Sequence, residues 1–383
     1  MERRTVLRAA IAGTGAAAFS GSLWRQAAAY PAVPGTSPYG ALQSADANGI
    51  MLPAGFTSRV IARSTQTVPG TSYTWHQAPD GGACYADGSG WIYVSNAEVS
   101  SSSGGGASAV KFNSSGSVTG AYRILSGTNR NCAGGATPWN TWLSCEEVDT
   151  GYVHETDPWG VNAAVRRDAM GRFNHEAAAA DPVRKVVYLT EDKSDGCFYR
   201  FVPSTWGNLS SGTLQVLKEV SGTLSWANVP DPDGSPTATR YQVSGAKVFN
   251  GGEGCHYRAD ICYFTTKGDN RVWAYNAAAN TLAVVYDDNV SGAPLTGVDN
   301  VTAAAVGDLY VAEDGGNMEI CIITPNDIVA PFLRITGQSS SEICGPAFSP
   351  AGNRLYFSSQ RGTSGSSSGG ITYEVTGPFR TSL

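Results

Sequence analysis

The 383-residue sequence is poor in charge, with 15% charged residues, and it contains only 4 histidines. It shows no convincing amphipathic helix pattern and, beyond its N-terminal segment, no hydrophobic run long enough to span a membrane. It has no CxxC pair, and its cysteine spacing is not that of a small disulfide scaffold. Glycine (46), tyrosine (17) and tryptophan (9) are instead plentiful, and 42% of the residues are hydrophobic. This composition is typical of a β-rich, secreted globular protein.

Residues 1–29 have the pattern of an export signal. Arg3 and Arg4 precede an uncharged, alanine-rich apolar run, and residues 27–29 offer a small-residue cleavage site. The run is well below the ~20 residues that a spanning helix needs, which disfavours the alternative of a short membrane anchor. The sequence therefore predicts a twin-arginine signal peptide, secretion of the folded protein through the twin-arginine export machinery, and no membrane contact after cleavage.

The exported part of the chain is acidic. Cleavage after residue 29 removes four arginines and one glutamate, which moves the formal charge from −6 to about −9. Binding to nucleic acid needs a basic face, so this charge argues against nucleic acid as a partner. An acid-lined cation site and simple solubility are equally consistent with it.

Eight cysteines in an exported chain usually indicate disulfides. Cys255 and Cys262 are close enough in sequence to bridge two neighbouring strands, and Cys321 with Cys344 would join adjacent repeats. If Cys132 is a metal ligand, at least one further cysteine must stay unpaired.

Six segments of the chain share one pattern: a polar or glycine-rich start, a small apolar strand, a turn, and an alternating aromatic and β-branched strand that ends in acids or amides. The segments are residues 80–98, 131–147, 175–192, 252–269, 298–314 and 341–362. They begin about 51, 44, 77, 46 and 43 residues apart, which is the blade spacing of a β-propeller with one long insertion. The sequence predicts an all-β, six-bladed β-propeller over residues 51–383. An extended arm over 30–50 precedes it, and an insertion at about 203–246 forms an outer edge or a lid.

The innermost strand of each propeller blade lines the central channel, so the first polar residues of the repeats are expected to converge there. These opening residues are Asp80 or a neighbour, Cys132, Glu176, Glu253, Asp299 and Glu342. The far ends of the hairpins add Asn96, Glu98, Glu146, Glu147, Glu191, Asp192, Glu313 and Asp314. Converging like charges repel unless cations compensate, so the pattern predicts a metal site in the channel. Oxygen ligands suit Ca²⁺ or Mg²⁺, and a thiolate among carboxylates favours a transition metal such as iron.

Each of these residues also has a purely structural interpretation. A single cysteine such as Cys132 is more often a small buried core residue than a ligand. Adjacent acids such as those at 146–147 and 191–192 often end a strand in solvent. His175 and His256 would then only satisfy hydrogen bonds near the channel. The equivalent positions of the thiol and the opening acids in the repeats favour the metal cluster over these alternatives.

Three stretches resemble signature segments of a known family: NCAGGATPWNTWLSCEE at 131–147, GRFNHEAAAADP at 171–182, and the strand end YLTED at 188–192. They resemble the PhoX-type alkaline phosphatases, which are six-bladed propellers exported by the twin-arginine route. The resemblance runs from about Leu52 to Tyr373 and so covers nearly all of the exported chain.

The resemblance implies a cluster of iron and calcium ions in the channel that hydrolyses phosphate monoesters, with a small phosphorylated molecule as substrate. Cys132 would be an iron ligand, and Asn96 with Glu98 would match the asparagine–acid strand end of the first blade. Further iron or calcium ligands would be Glu147, Glu176, Asp192, Glu253 and Asp299. The residues expected to take part in catalysis are Cys132, Glu176, Glu253, Asp299 and Arg361.

Two positions depart from the family pattern. Asn300-Val301 stand where the larger phosphatases have arginine and proline, and Gly134 stands where they tend to have histidine. Both changes remove groups that could face a phosphate. Arg361, and Lys267 or Arg271, are candidate replacements as anion clamps, although an exposed basic side chain without such a role is the simpler interpretation of each.

The leading hypothesis is an exported, metal-dependent phosphatase. One alternative is a calcium-stabilised propeller without catalytic activity that binds a ligand or partner. Another is a lactonase or esterase that uses one channel Ca²⁺ and needs no thiolate. Iron together with calcium, and turnover of an aryl phosphate, would favour the first. Calcium alone without turnover would favour the binding protein.

Overall fold

The computed structural model of the protein describes residues 31–382, and the predicted signal peptide lies outside this range. Six sheets form the six blades of a β-propeller, and the successive strands of each blade pair antiparallel, so the fold predicted from the repeat spacing is confirmed. The helices of the described residues are single 3₁₀ turns at Ser101–Ser103, Asp168–Met170, Thr239–Tyr241, Lys267–Asp269, Gly362–Ser364 and Ser367–Gly369. Among these residues no helix has the length and apolar character needed to cross a membrane.

The strands follow the chain blade by blade. The N-terminal strands are β1 (Val33–Pro34), β2 (Ile50–Met51) and β3 (Thr57–Arg63). Blade 1 contains β4 (Pro79–Asp87), β5 (Gly90–Ala97), β6 (Gly106–Phe112) and β7 (Val118–Ser126). Blade 2 contains β8 (Asn131–Ala136), β9 (Trp142–Glu146), β10 (Val153–Thr156) and β11 (Val165–Arg166). Blade 3 contains β12 (His175–Asp181), β13 (Val186–Glu191), β14 (Gly196–Thr205), β15 (Asn208–Val220) and β16 (Thr223–Asn228), with β17 (Val248–Phe249) paired to β14.

The second half of the chain repeats the arrangement. Blade 4 contains β18 (Gly252–Arg258), β19 (Ile261–Thr266), β20 (Arg271–Asn276) and β21 (Thr281–Asp287). Blade 5 contains β22 (Val298–Ala303), β23 (Leu309–Glu313), β24 (Glu319–Ile323) and β25 (Ile328–Ile335). Blade 6 contains β26 (Ile343–Phe348), β27 (Arg354–Ser359) and β28 (Ile371–Thr376), and β3 supplies its outermost strand. The two ends of the chain therefore meet in one sheet and close the ring.

The predicted arm and insertion both add strands at the periphery. In the arm, β1 pairs parallel and β2 antiparallel with β25, on the outer edge of blade 5. In the insertion, β15 and β16 form a long hairpin that adds a fifth strand to blade 3. Both segments thus lie on the outer edges of their blades.

Each interface between neighbouring blades buries one apolar cluster. Aromatic stacking connects the blades within these clusters. The rings of Tyr93 in blade 1 and Tyr356 in blade 6 stack with their centroids 4.9 Å apart. Phe198 in blade 3 and Phe264 in blade 4 stack at 4.3 Å. This packing fixes the blades around the channel and so fixes the residues that line it.

The eight cysteines are all free in the structure, so neither suggested disulfide is formed. The Sγ atoms of Cys255 and Cys262 lie 3.3 Å apart on neighbouring strands and are joined by a thiol hydrogen bond. Cys321 is buried in the apolar cluster between blades 4 and 5. Cys344 instead donates to the carbonyl oxygen of Pro79 in blade 1 at 3.2 Å. The pairing of Cys321 with Cys344 was wrong because the two thiols face different neighbours.

An ion-pair cluster around a buried carboxylate fastens β3 to the last blade. The Glu374 carboxylate is 1% exposed and accepts hydrogen bonds from Arg59 Nε at 2.8 Å and Arg354 Nη1 at 2.7 Å. The Tyr356 hydroxyl donates to the same carboxylate at 2.5 Å. One carboxylate therefore bridges two arginines at the point where the ring closes.

Replacing Glu374 with glutamine is expected to destabilise the protein by roughly 3 kcal/mol, because the two arginines lose their counter-charge. In thermal unfolding this should lower the Tm by several degrees. The Arg166–Asp168 pair is a matched control because 52% and 64% of its side chains are exposed. Asp168→Asn should cost less than about 1 kcal/mol. Equal Tm values for the two variants would show that the cluster does not stabilise the closed ring.

Candidate metal centre

A β-bulge near the start of each innermost strand turns one side chain into the channel in blades 1 to 5. The pairing of the inner strand with its neighbour slips between Pro79/Gly82, Asn131/Gly134, His175/Ala178, Gly252/Cys255 and Val298/Val301. Bulges of this kind change the direction of side chains next to active sites. The first residue in each bulge forms what we call the first ring: Asp80, Cys132, Glu176, Glu253 and Asp299.

The inner strands approach one another closely at this level. A Cβ atom on Gly81 would lie 2.5 Å from the Cα atom of Ala133. A Cβ atom on Gly254 would lie 2.6 Å from the Cα atom of Asn300. In blades 1 and 4, glycine directly after the first-ring residue therefore lets the next strand approach closely, which brings the ligand side chains together.

A second ring lies at the far ends of the hairpins, at the residue that follows the second strand of each blade. It consists of Glu98, Glu147, Asp192, Lys267, Asp314 and Gln360. The backbone N–H of each makes the same type of hydrogen bond: Glu98 to Ala78 O (3.0 Å), Glu147 to Arg130 O (2.9 Å), Asp192 to Asn174 O (3.2 Å), Lys267 to Gly251 O (2.7 Å), Asp314 to Gly297 O (2.7 Å) and Gln360 to Glu342 O (3.1 Å). The six positions are therefore structurally equivalent.

The two rings together form three groups of possible metal ligands. In each group one ligand atom from every residue lies within 4.8 Å of the others. The groups are Asp80–Glu98–Cys132, Cys132–Glu147–Glu176 and Glu176–Glu253–Asp299. Cys132 and Glu176 each belong to two groups, so the three groups form one continuous arc around the channel.

Glu176 is the clearest sign that cations belong there. Its side chain is 0% exposed, and neither carboxylate oxygen has a hydrogen-bond partner among residues 31–382. Burial, and then the charges of Glu253 and Glu147, raise its pKa well above the ordinary value. Buried charges in proteins are paired or coordinate metals. The residues around Glu176 supply carboxylates and a thiol, and on the side facing Cys132 they supply no positive charge. The residues present therefore fit a metal cluster.

Three more groups of the two rings, Asp80, Glu147 and Cys132, have pKa values shifted in the same direction. Burial and the charge of Glu98 raise the pKa of Asp80 to about 7. Burial and the same neighbouring charge raise the pKa of Glu147 to about 8. Burial, followed by Asp80 and Glu176, raises the pKa of the Cys132 thiol. Apart from Lys267, whose charge lowers the pKa of Glu147, negative neighbours dominate around these groups, and bound metal ions would supply the missing positive charge.

Comparison with known families agrees with this arrangement. The model of the family Alkaline phosphatase PhoX matches residues 87–151 and 148–283, just over half of the chain. The chain belongs to the PhoX family. The matched range includes Cys132, Glu147, Glu176 and Glu253, whereas Asp80 and Asp299 lie outside it. The resemblance inferred from the sequence motifs is thereby confirmed.

Among solved structures, Pseudomonas fluorescens PhoX in complex with vanadate, a transition state analogue, superposes with a TM-score of 0.71 at 16% identity over 91% of this chain and 98% of that one. The gluconolactonase XC5397 of Xanthomonas campestris gives a TM-score of 0.51 at 12% identity, with the same coverage of 91% and 98%. No curated protein sequence matches the chain. At these identities the structural likeness shows a shared fold.

Both departures from the PhoX pattern have a place in this fold. A Cβ atom on Gly134 would lie 1.8 Å from the carbonyl oxygen of Leu143, so histidine does not fit there. Asn300 is buried and donates from Nδ2 to Asp299 Oδ1 at 2.8 Å. Its Oδ1 accepts from the backbone N–H of Gly345 at 2.6 Å. Asn300 therefore orients a first-ring carboxylate and does not face the open channel as a phosphate ligand.

Seven predicted metal ligands lie outside the three ligand groups of the channel. Asp192 and Asp314 belong to the second ring, Glu342 lies at the rim, and the other four are Asn96, Glu146, Glu191 and Glu313. Asn96 donates to the carbonyl oxygens of Cys132 and Ala133 and accepts from Trp142 Nε1 at 2.9 Å, so it joins blades 1 and 2.

The three glutamates are the last residues of their strands, and alternation along a strand turns them away from the second ring. Glu146 accepts the backbone N–H groups of Asn129 at 2.8 Å and Tyr152 at 3.1 Å. Glu191 accepts from the Cys197 N–H at 3.0 Å and pairs with Arg240 at 3.0 Å. Glu313 accepts the N–H groups of Thr296 at 2.8 Å and Glu319 at 2.9 Å. Their carboxylates hold loops in place, which corrects their assignment as channel ligands. Glu313 lies instead in a fourth group of possible metal ligands, with Glu319 and Cys321.

The remaining predicted residues lie at the rim of the channel. Glu342 precedes β26 and pairs with Arg361, whose Nη2 is 3.0 Å from Glu342 Oε1. Burial, followed by the hydrogen bond with Asp314, raises the pKa of Glu342 to about 10. Arg271 pairs with Asp269 at 2.9 Å and Asp287 at 2.8 Å within its own blade, so it is not placed as an anion clamp.

Two rim residues were missed in the sequence. Gln360 Nε2 donates to Asp80 Oδ2 at 2.5 Å and to Glu98 Oε2 at 2.7 Å, so it connects the two rings across blades 6 and 1. Arg130 is 60% exposed at the side chain and its Nη1 lies 3.9 Å from Glu98 Oε1. Its position directly before the motif at 131–147 was the available signal.

Proposed function

We propose that the protein is an exported, metal-dependent phosphatase of the PhoX type that hydrolyses phosphate monoesters at an iron and calcium cluster in the propeller channel. The observation that carries this proposal is the buried, unpartnered carboxylate of Glu176, which is shared between two ligand groups. One of these groups contains the thiol of Cys132. A channel that only needed to be polar would have no reason to bury that acid unpaired.

The donor sets suggest where each metal would bind. The group Cys132–Glu147–Glu176 combines a soft thiolate with carboxylates, which favours iron. The group Glu176–Glu253–Asp299 offers only oxygen, which suits calcium. The group Asp80–Glu98–Cys132 could share the thiolate or take calcium through its two carboxylates. Bound metals would neutralise the charge of a phosphate and lower the pKa of a coordinated water.

The chain's own residues would bind and orient the substrate. Arg361 and Arg130 present guanidinium groups at the rim, near Glu342 and Glu98. Guanidinium groups form bidentate, charge-assisted hydrogen bonds with phosphate oxygens. A phosphate monoester entering the channel mouth would therefore meet positive charge first at these two residues. The complex of Pseudomonas fluorescens PhoX with vanadate supports a phosphoryl substrate.

Export by the twin-arginine route is part of the proposal. This route carries folded proteins, so the metal ions could be inserted before secretion. The signal would be residues 1–29, and the secreted enzyme would start near the arm that pairs with blade 5.

The test is an assay of the purified full chain with an aryl phosphate, combined with elemental analysis. We expect iron and calcium in the native protein, turnover of the aryl phosphate, and loss of turnover after chelation. Calcium alone with no phosphate turnover would overturn the proposal and leave the ligand-binding propeller. Turnover of a lactone in place of the phosphate would favour a lactonase, which the structural likeness to the gluconolactonase keeps as the alternative.

A further inference from the structure

The ligand groups in blades 1 and 2 follow one rule. Each consists of the first-ring residue of a blade, the second-ring residue of the same blade, and the first-ring residue of the next blade. Blade 1 gives Asp80–Glu98–Cys132, and blade 2 gives Cys132–Glu147–Glu176. Applied to blade 3, the rule selects Glu176, Asp192 and Glu253. Applied to blade 4, it selects Glu253, Lys267 and Asp299.

Blade 4 thus carries a lysine where blades 1, 2, 3 and 5 carry an acid. Its second-ring residue Lys267 has the same backbone hydrogen bond as the equivalent acids, from its N–H to Gly251 O at 2.7 Å. The difference between the blades is therefore in the side chain alone. An ammonium group replaces a carboxylate within a ring that otherwise offers metal ligands.

The Lys267 ammonium contacts carboxylates from three consecutive blades. Its Nζ lies 2.7 Å from Glu253 Oε1, 3.5 Å from Asp314 Oδ2 and 3.7 Å from Asp192 Oδ2. The Glu253 side chain is only 3% exposed. Three carboxylate groups thus converge on one positive charge. A bound Ca²⁺ is expected to be surrounded in the same way.

A simple surface ion pair does not explain this geometry. Arg271, also in blade 4, pairs only with Asp269 and Asp287 of its own blade. Lys267 instead reaches both neighbouring blades and the buried first-ring acid Glu253. The symmetry of the propeller sets the position of Lys267. In blades 1, 2, 3 and 5 the equivalent position holds an acid.

We propose that Lys267 is a tethered cation that takes the place of one metal ion in the channel cluster. This inference rests on the proposed function, because it concerns the same metal centre. Lys267 neutralises the Glu253, Asp192 and Asp314 side of the channel. Metal ions are then required in the three ligand groups, where Lys267 forms an ion pair only with Glu253 and Arg130 Nη1 stays 3.9 Å from Glu98 Oε1.

The test compares variants of Lys267 in the full chain, with calcium content and thermal stability as readouts. Lys267→Met removes the charge but keeps most of the side-chain length. It should bind one more Ca²⁺ per chain than the wild type at saturating calcium, because three carboxylates lose their counter-charge. Its Tm should fall in calcium-free buffer and recover more than the wild type when calcium is added.

Two further variants separate charge from shape. Lys267→Arg keeps the charge and should retain the calcium content of the wild type. Lys267→Glu introduces the acid found at this position in blades 1, 2, 3 and 5, and it should also bind an additional Ca²⁺. If Lys267→Met does not fold, this variant tests whether Lys267 takes the place of a metal ion. Lys247→Met is the matched control, since Lys247 pairs with Glu219 on the insertion and lies outside the channel. It should change neither readout.

The outcomes distinguish this inference from the proposed function. A metal-containing wild type with unchanged calcium content in Lys267→Met and Lys267→Glu would overturn the role of Lys267 and leave the phosphatase proposal intact. A wild type without bound metal would overturn both. Additional calcium in Lys267→Arg as well would show that side-chain shape, and not charge, excludes the ion, and would also overturn the inference.

Discussion

The Glu176→Gln variant is expected to lose bound metal and phosphatase activity together. Glu176 supplies a carboxylate to two of the three ligand groups, so its loss weakens both. Glutamine keeps the shape but cannot neutralise a cation, and activity should fall by at least about 10³-fold. Elemental analysis and turnover of an aryl phosphate, measured on the same preparation, check this expectation.

The same variant should behave in the opposite way when metal is absent. The metal-free wild type buries a carboxylate whose two oxygens have no hydrogen-bond partner in the described part of the chain. Replacing that acid with a neutral amide lowers the cost of burial. The chelated variant should therefore melt at a higher temperature than the chelated wild type, and addition of calcium should raise its Tm less.

Glu155→Gln is the matched control for this experiment. Glu155 is also buried, but it pairs with Arg167 at 2.6 Å and accepts from Trp139 Nε1 at 2.7 Å in blade 2. The control should lose stability and keep its metal content. Wild-type metal content in Glu176→Gln would remove Glu176 from the ligand set and contradict the proposed cluster.

The Cys132→Ser variant is expected to lose iron and retain calcium. Serine has almost the size of cysteine, but its hydroxyl does not replace a soft thiolate as an iron ligand. Because Cys132 is shared by two groups, the aryl phosphatase activity should fall by at least about 10²-fold, while the circular dichroism spectrum stays unchanged. Iron and calcium are measured separately by elemental analysis.

A second cysteine provides the control for this substitution. Cys84 lies on β4 of blade 1, is partly buried and packs against the apolar cluster between blades 6 and 1. Cys84→Ser should keep iron. If Cys132→Ser also keeps its iron, the thiol is a structural residue of the inner strand, as the alternative interpretation of the sequence holds.

The fold could be predicted because the repeats carry strong period-two strands at blade spacing. The first ring could be predicted for the same reason, since the opening residue of each repeat occupies an equivalent position. Blade 6 is the exception. Its bulge falls between Cys344 and Ala347, and its sequence acid, Glu342, lies before the strand. The sequence pattern alone does not show such a shift in register.

The adjacent acids at the strand ends show a second limit of the sequence. Glu146 and Glu147 are chemically equal in the sequence, but strand alternation turns one toward a loop and the other into the channel. Only the pairing register of the strand decides which of the two glutamates faces the channel. Lys267 shows the same limit: the sequence suggested an anion clamp, whereas the structure surrounds its ammonium group with three carboxylates.

An anomalous diffraction experiment on crystals of the native protein tests the central claim most directly. Data collected on both sides of the iron absorption edge locate iron and distinguish it from calcium. The account predicts an iron peak bonded to Cys132 Sγ among Glu147 and Glu176, with calcium at the oxygen-only ligands. A channel without anomalous density, or an iron peak remote from Cys132, would contradict it.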